Sequence, residues 1–264
     1  RIINDRLALG ATTRVRNGVV ASNVLGMRAF VSDDAGGTPT SFIALGGQVL
    51  HELPGVELQA FNILGMAAGA TLDPKTQQRR AVWFDGQSVK ELGTLGGVSS
   101  EALALSDSGW IAGWAEDGKG ARRAFISRDG GLERLTLPPH LESEANSIGD
   151  RWLAGTLVTE KGRQGFLYDL EDGEVHLAPL PEEGASITFS AANDWGRAVG
   201  TLITHNKEVI PIVFSAEDGL VRLDEIAELP AGFVPKSVEG TADDGTVYVS
   251  GALHGETAHF RFAP

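Results

Sequence analysis

Three observations predict an all-β fold, a six-bladed β-propeller of four-stranded antiparallel blades. A glycine after a short apolar run recurs at intervals of 59, 44, 42, 45 and 51 residues: Gly10, Gly69, Gly113, Gly155, Gly200 and Gly251. Apolar runs of four to six residues alternate with turn residues, with a spacing of about ten residues that is typical of strands. No long stretch has apolar residues at the spacing of a helix face.

Each repeat has the same order of elements, best seen in the third. The polar turn Asp107-Ser108-Gly109 precedes an apolar strand that contains Gly113, and the aromatic strand Ala124-Phe125-Ile126 follows. The turn Asp129-Gly130-Gly131 then leads to the leucine-bearing strand Leu132–Leu135. Four short strands in about 42 residues describe a propeller blade. A parallel β-solenoid is the second interpretation, although its rungs usually need fewer residues.

The repeats make up a single predicted domain, 1–264, in which the best helix candidate is Leu223–Leu229. In the first repeat, both Arg28–Val31 and Ser41–Leu45 are candidates for the aromatic strand, so we expect an extra hairpin there. The last repeat lacks its leucine-bearing strand. We expect either an N-terminal strand to complete it or one blade to be short. The approximate repeat boundaries are 1–55, 56–97, 98–139, 140–183, 184–230 and 231–264.

Composition excludes several classes of protein. The formal charge of −13 and the pI of about 4.9 argue against a nucleic-acid-binding surface, which is basic. The chain has no cysteine, which excludes disulfides, a thiolate nucleophile and zinc–cysteine sites. The most apolar segment, Ala60–Leu72, is too short to span a bilayer. Arg1 in place of methionine suggests a mature or trimmed chain, and we expect a monomer without membrane insertion.

The third repeat resembles the bacterial HAF repeat. The resemblance rests on Glu91–Gly97, which reads Glu-Leu-Gly-Thr-Leu-Gly-Gly, on Ser106–Gly113, and on the pair Ala124-Phe125. The other repeats match in outline over most of the chain. The family is named for a His-Ala-Phe triplet, whereas this chain has Arg28, Arg80 and Arg123 at the histidine position. The resemblance implies an exported bacterial protein and supplies no catalytic residue.

Residues for catalysis or metal binding form no recognisable motif, so we predict neither a catalytic residue nor a cofactor. The six histidines are spread over four repeats without the close spacing of a local metal site, and there is no Gly-x-Ser-x-Gly elbow. We interpret the repeated arginines as a ladder of ion pairs with turn acids. Calcium is the one metal that the acidic turns suggest, but each turn would carry these residues without a metal. These turns contain Asp33-Asp34, Asp129, Glu171-Asp172, Glu217-Asp218 and Asp243-Asp244.

Two surfaces are candidate ligand sites. The first is the polar mouth of the pore, where the innermost strands would place Asn62, Glu101, Asn146 and Glu239. On the strand around Glu101, alternation predicts that Glu101, Leu103 and Leu105 share one face. The second is an aromatic platform at the first hairpin of three adjacent repeats, formed by Trp110, Trp152 and Trp195. For either surface, a structural role of these residues is the competing interpretation.

The sequence therefore favours an exported, non-catalytic binding or scaffold propeller. We expect its ligand to be a protein or a carbohydrate, at the pore mouth or at the hairpin face. The alternative is a propeller enzyme, either a glycan hydrolase or lyase or a metal-dependent lactonase, in which axial carboxylates such as Glu101, Glu144 and Glu239 converge. A third interpretation is a structural repeat domain of a larger surface protein.

Overall fold

The computed structural model describes residues 21–22, 26–33, 38–45, 48–73 and 75–263. Within these ranges the chain is all-β, with 23 strands in six antiparallel sheets of three or four strands and a single one-turn helix. This confirms the all-β prediction. Gly10 and the turn predicted before it lie outside the described residues.

The chain divides into two compact units, Arg1–Leu135 and Thr136–Pro264. In unit 1, the described strands form three four-stranded sheets whose strands are adjacent in sequence order. The first contains β1 (Ala21–Ser22), β2 (Met27–Asp33), β3 (Pro39–Leu45) and β4 (Gln48–Pro54). The second contains β5 (Val56–Phe61), β6 (Ala67–Leu72), β7 (Arg79–Phe84) and β8 (Val89–Gly93). The third contains β9 (Gly96–Leu105), β10 (Ile111–Asp117), β11 (Arg122–Arg128) and β12 (Gly131–Arg134).

In unit 2, the fourth sheet contains β13 (Glu142–Ile148), β14 (Trp152–Thr159), β15 (Gly162–Asp169) and β16 (Val175–Leu177). The fifth contains β17 (Ser186–Ala192), β18 (Arg197–Ile203), β19 (Val209–Ser215) and β20 (Gly219–Arg222). Helix α1 (Leu223–Ile226) follows β20 and is shorter than the predicted helix. The sixth sheet has only three strands in the described part of the chain, β21 (Phe233–Thr241), β22 (Val247–Leu253) and β23 (Glu256–Phe262).

The first sheet is more regular than the sequence suggested. The two candidates for its aromatic strand, Arg28–Val31 and Ser41–Leu45, lie in β2 and β3, which are neighbours in one sheet. The extra hairpin was expected between residues 12 and 53, part of which lies outside the described residues, so it stays a prediction. In β2 the place of the repeat glycine is taken by Ala29, which pairs with Ile43.

Inside each unit, the core lies between consecutive sheets. In unit 1, β9 packs on β5, β6 and β7 of the preceding sheet, and in unit 2, β17 packs in the same way on β13, β14 and β15. Alanines of the second sheet, such as Ala68 and Ala81, lie in one core cluster with Phe125 of the third sheet, and all three are fully buried. Alternation of small and large residues fills such an interface without cavities.

A β-bulge explains the repeat glycine. In five sheets, the first strand carries one extra residue opposite this glycine: Gln59, Leu103, Asn146, Ser190 and Lys236. The bulge turns a backbone carbonyl toward the glycine, so a Cβ at Gly113 would overlap the carbonyl oxygen of Glu101. The same overlap with a first-strand carbonyl would occur at Gly69, Gly155, Gly200 and Gly251. The repeat glycines are therefore required by close backbone approach rather than by turn chemistry.

The segment Leu92–Gly97 links the second sheet to the third. Leu92 is buried in the core, and Gly93 and Gly96 have positive φ angles of 89° and 105°. Glycine adopts this backbone conformation without the steric cost that a side chain would add.

Inside each unit, a hydrogen bond that we call the turn bracket connects the turns of consecutive sheets in three cases: second to third, fourth to fifth, and fifth to sixth. The carboxylate of Asp107 accepts from the backbone N–H of Ile63, one repeat earlier, at 3.2 Å. In unit 2, Asp194 accepts from Asp150 N–H and Asp243 accepts from Asp194 N–H, at 3.3 and 3.4 Å. Successive first hairpins within a unit are therefore held in a fixed relation.

Of the three arginines in the predicted ladder, Arg123 forms an ion pair with an acid beside a turn, whereas Arg28 and Arg80 form none with any described residue. The Nε of Arg123 donates to Asp117 Oδ2 at 2.8 Å, and the backbone N–H groups of Lys119 and Ala121 donate to the other oxygen. These hydrogen bonds, led by the one from Arg123, lower the pKa of Asp117 to about 2. Arg123, at the position of the histidine in the HAF repeat, thus orders the turn that precedes its own strand.

Candidate functional site

Two of the predicted pore-mouth residues, Asn62 and Asn146, stabilise the fold. Asn62 is 3% exposed, donates to Ser106 O at 3.0 Å, and accepts from the N–H groups of Leu64 and Met66. Asn146 is 8% exposed and donates to Thr156 Oγ1 and to Phe189 O of the next sheet. Both amides join neighbouring sheets, which is the structural role that competed with ligand binding.

The acids of unit 2 that were proposed for the axis each bind a basic side chain of their own sheet. Glu144 binds Arg163 at 2.8 Å, and Glu239 binds His259 at 3.0 Å. Neither carboxylate lines one of the two cavities described next.

Glu101 lies in a charged cavity of about 340 Å³ in unit 1, which we call the Arg79 cavity. Arg79 Nη2 donates to Glu101 at 2.7 Å and to Glu57 at 3.0 Å, and Gln59 Nε2 donates to the same two carboxylates. Arg122 stacks over the buried ring of Trp114 at 4.1 Å. The lining residues are Glu57, Gln59, Gln77, Arg79, Ser99, Glu101, Trp114, Glu116 and Arg122.

Burial dominates the electrostatics of Glu101. Desolvation raises the pKa of its carboxyl above the ordinary value, although the charge of Arg79 lowers it in part. The Nε atom of Arg79 is buried and makes no hydrogen bond with any described residue. The cavity thus combines a carboxyl that is shifted toward its neutral form with an unsatisfied guanidinium donor.

The prediction that Glu101 and Leu105 lie on the same face of their strand is wrong, because a β-bulge separates them. Glu101 pairs with Trp114 and Ala104 pairs with Ala112, while Leu105 pairs with Ile111. Because Trp114 and Ala112 lie on one face of β10, Glu101 shares its face with Ala104 and not with Leu105. The extra residue at Leu103 reverses the alternation.

A second cavity, of about 490 Å³, lies in unit 2 and brings together Trp152 and Trp195. We call it the tryptophan cleft. Trp195 is 76% exposed, the most exposed large apolar side chain in the described residues. Trp152 packs on Gly196, where a Cβ would lie 2.9 Å from the indole. The cleft is lined by Trp152, Asn193, Trp195, Gly196, Arg197, Ser215, Ala216, Glu217, Asp218, Asp243, Asp244 and Gly245.

Trp195 is not at the same repeat position as Trp110 and Trp152. The latter two lie three residues before the repeat glycines Gly113 and Gly155, whereas Trp195 lies five residues before Gly200. Trp195 thus occupies the turn, where the third repeat has Ser108, and Arg197 takes the strand position. Trp110 lies in unit 1 and lines neither cavity, so the structure brings together two of the three predicted platform residues.

A rigid turn holds Trp195 in place. The buried side chain of Asn193 accepts from the N–H groups of Trp195 and Arg197 at 3.1 and 3.0 Å and donates to Ala242 O. The turn bracket from Asp194 to Asp243 adds a second connection to the following sheet. An exposed indole on a fixed backbone is preorganised for contact with a ligand.

The rest of the cleft is acidic. Arg197 lies 3.6 Å from Asp218, and Asp243 and Asp244 accept from the backbone N–H groups of Asp194 and Thr246. Glu217 is exposed and makes no hydrogen bond or ion pair with any described residue. Four carboxylates and the guanidinium of Arg197 therefore line the cleft.

Sequence reasoning missed most of the Arg79 cavity, namely Glu57, Arg79 and Arg122. A signal existed, since Glu57 precedes Glu101 by 44 residues and Arg79 precedes Arg122 by 43, close to the repeat length. The predicted ladder instead used Arg80 and Arg123, the arginines that directly precede the apolar residues of the aromatic strands. Each is one residue further along, where alternation directs it to the opposite face of the strand.

Among the described residues, no group of three or more histidine, aspartate or glutamate side chains is arranged to hold a metal ion. The same part of the chain contains no helix long and apolar enough to cross a bilayer.

The sequence matches no protein-family model and no curated protein. Three solved structures are similar in fold at low identity. TolB from Acinetobacter baumannii has 14% identity and a TM-score of 0.47 over 74% of this chain, which covers 52% of that protein. A protein proposed to be TolB from Agrobacterium tumefaciens has 10% identity and a TM-score of 0.46, with 82% and 85% coverage. The β-propeller domain of the Trilobed protease from Pyrococcus furiosus has 11% identity and a TM-score of 0.41, with 96% and 93% coverage.

Proposed function

We propose that this chain is an exported, non-catalytic binding module and that the tryptophan cleft is its ligand site. The observation that carries the proposal is Trp195, whose indole is 76% exposed beside a cavity of about 490 Å³. Covering this indole with a ligand would remove a large apolar area from water, and tryptophan is enriched among the residues that contribute most to binding. The ligand is a protein or a carbohydrate, since both use exposed tryptophans.

A six-bladed propeller of the HAF-repeat type is the architecture that we propose for this module. Six sheets of antiparallel strands follow one another in sequence, and inside each unit the first strand of a sheet packs on the preceding sheet. This is the arrangement of propeller blades. The Leu-Gly-Thr-Leu-Gly-Gly segment at Leu92–Gly97 supports the family and, through it, export.

A ligand screen tests the proposal. The intrinsic fluorescence and melting temperature of the protein would be measured against a peptide library and a glycan library. We expect a hit whose signal is lost in Trp195→Ala. The matched control is Leu64→Ala, because Leu64 occupies the corresponding turn position five residues before Gly69 and is 66% exposed. Equal binding by Trp195→Ala and the wild type would refute the site.

One observation favours the second candidate function, a glycan hydrolase or lyase. Burial raises the pKa of Glu101, which lines one cavity with Glu57, and a pair of nearby carboxyl groups is the machinery of glycoside hydrolysis. Against this, Arg79 binds both carboxylates and leaves neither free in the present geometry. An assay with aryl glycosides and lactones decides, since turnover that Glu101→Gln abolishes would establish the enzyme and displace the binding module.

A further inference from the structure

The cleft chemistry identifies a class of ligand, and this inference rests on the proposed function. The first observation concerns the faces of the tryptophans. Four of the five indoles carry a cation from the chain itself at 4.1–5.4 Å: Trp83 with Lys90, Trp110 with Arg128, Trp114 with Arg122 and Trp152 with Arg151. Among the described residues, Trp195 alone has no such partner, and it is also the most exposed. A cation on its face would have to come from a ligand.

The second observation is where the negative charge lies. Residues 1–135 contain 14 acidic and 14 basic side chains and are formally neutral. Residues 136–264 contain 21 acidic and 8 basic side chains, so unit 2 carries the whole formal charge of −13. The tryptophan cleft belongs entirely to unit 2. Such a field attracts cationic ligands and repels anionic glycans and nucleic acids.

The third observation is that the carboxylates of the cleft retain free acceptor capacity. Glu217 makes no hydrogen bond or ion pair with any described residue, and Asp244 accepts only from the hydroxyl and the backbone N–H of Thr246 within the described chain. The single cation of the cleft, Arg197, lies 3.6 Å from Asp218. A carboxylate can accept further hydrogen bonds from the planar fork of a guanidinium. A neutral sugar would use the indole but would leave this excess negative charge uncompensated.

We propose that the tryptophan cleft binds a basic, extended segment of a partner protein. One arginine or lysine side chain stacks on the free face of Trp195 and donates to Glu217 or Asp244. Its role at Trp195 is the one that Arg122 plays at Trp114 within the chain. The cavity of about 490 Å³ accommodates one or two such side chains. The bond is noncovalent, and no chemical step accompanies it.

Calorimetry and tryptophan fluorescence with defined probes test the inference. The probes are a capped peptide of alternating glycine and arginine, the same peptide with glutamate for arginine, and neutral chitohexaose. We expect only the arginine peptide to bind, and its affinity to fall as NaCl rises from 50 to 300 mM. Trp195→Ala should weaken it at least about fivefold, the order expected for a desolvated cation–π contact. Glu217→Gln should weaken it less and flatten the salt dependence.

Two control variants separate the cleft from the general charge of unit 2. Glu183→Gln removes the same charge at an exposed site outside the cleft, and Leu64→Ala trims the matched turn in unit 1. Both should leave the affinity unchanged. Arginine-peptide binding that is equally strong in Trp195→Ala would overturn the inference, because attraction to the acidic unit alone would then explain it.

The outcomes also separate this inference from the proposed function. Binding of chitohexaose that depends on Trp195, without binding of the arginine peptide, would refute the basic ligand and retain the binding module. No Trp195-dependent signal with any of the three probes or with the libraries would refute both. Because Trp195 is exposed, its truncation should leave folding intact, and an unchanged melting temperature would show this.

Discussion

At the scale of single residues, the repeat glycines and Arg123 have different structural roles. The glycines leave room for a carbonyl oxygen that the bulge of the neighbouring strand pushes toward them. Arg123 instead closes a turn by binding the carboxylate of Asp117. Each role makes a separate prediction, one about packing and one about ionisation.

Gly113→Ala should destabilise the protein by about 2–3 kcal/mol, the upper part of the range for an overpacked site. The new methyl group would overlap the carbonyl oxygen of Glu101 and lie 3.0 Å from the Cα of Ala102. Urea unfolding measures the effect. Gly118→Ala is the control, since a Cβ there meets no atom within 4 Å, and its change should stay within about 0.5 kcal/mol. Equal effects of the two substitutions would contradict the steric explanation.

Arg123→Gln should raise the pKa of Asp117 from about 2 toward its ordinary value of 3.8. The hydrogen bonds from Lys119 and Ala121 remain, so the pKa should stay below 3.8. Because folding lowers this pKa, ionised Asp117 stabilises the folded state above pH 3.8. This stabilisation is lost as the pH falls toward 2. A carboxyl-carbon NMR titration measures the shift. Arg134→Gln, at an exposed arginine without an ion pair in the described chain, should leave Asp117 unchanged.

At the scale of elements, the sixth sheet differs from the other five. It has three strands in the described chain, so one side of β23 has no strand beside it there. In the fifth sheet the equivalent strand, β19, lies between β18 and β20. Backbone N–H groups on an open edge exchange with solvent more readily than those inside a sheet.

Hydrogen exchange should therefore be faster in residues 256–262 of β23 than in residues 209–215 of β19. Mass spectrometry of peptides from the two segments measures the difference under native conditions. Residues 197–203 of β18 provide an internal reference, because β18 has neighbours on both sides in the described sheet. Equal protection of β23 and β19 would show that a further strand covers the edge.

The sequence was sufficient for the order of elements but not for their fine register. Turn residues and apolar runs predicted the third sheet because Asp107-Ser108-Gly109 and Phe125 are unambiguous local signals. The bulge at Leu103 has no such signal, and it misled the assignment of faces around Glu101. In the first sheet the glycine signal itself is missing, since β2 has Ala29 opposite Ile43.

The candidate site was predictable only in part. The position of Trp152 and Trp195 near the first hairpins predicted their role. That both line one cleft depends on the turn at Asn193, which is a tertiary feature. Asn62 was predicted to line the pore mouth because it is a polar residue of an innermost strand. The same position suits a buried amide that joins two sheets. A single sequence does not distinguish these two roles, because the partner carbonyl is 44 residues away.

At the scale of the whole molecule, the two units differ in charge. Unit 1 is formally neutral and unit 2 carries −13, so mutual repulsion of carboxylates acts mainly within residues 136–264. Repulsion of like charges destabilises a compact state, and dissolved salt screens it.

Raising NaCl from 20 to 500 mM should therefore raise the melting temperature, by about 2–4 °C for each 1 kcal/mol that screening recovers. Differential scanning calorimetry measures the shift, and hydrogen exchange locates it. We expect greater protection in residues 136–263 and little change in residues 48–135. A uniform gain over both segments would show that the effect is not electrostatic in origin.

The turn bracket has a consequence for how such a chain could grow or shrink. The donor of each bracket belongs to one repeat and the acceptor to the next, as in the bond from Asp150 N–H to Asp194. A duplicated segment of about 44 residues would arrive with an acceptor for the copy before it and a donor for the copy after it. Gene duplication in whole repeats would therefore preserve every bracket, whereas loss of part of a repeat would leave a backbone N–H without its carboxylate acceptor. The bond thus makes the complete sheet the natural unit of insertion and deletion.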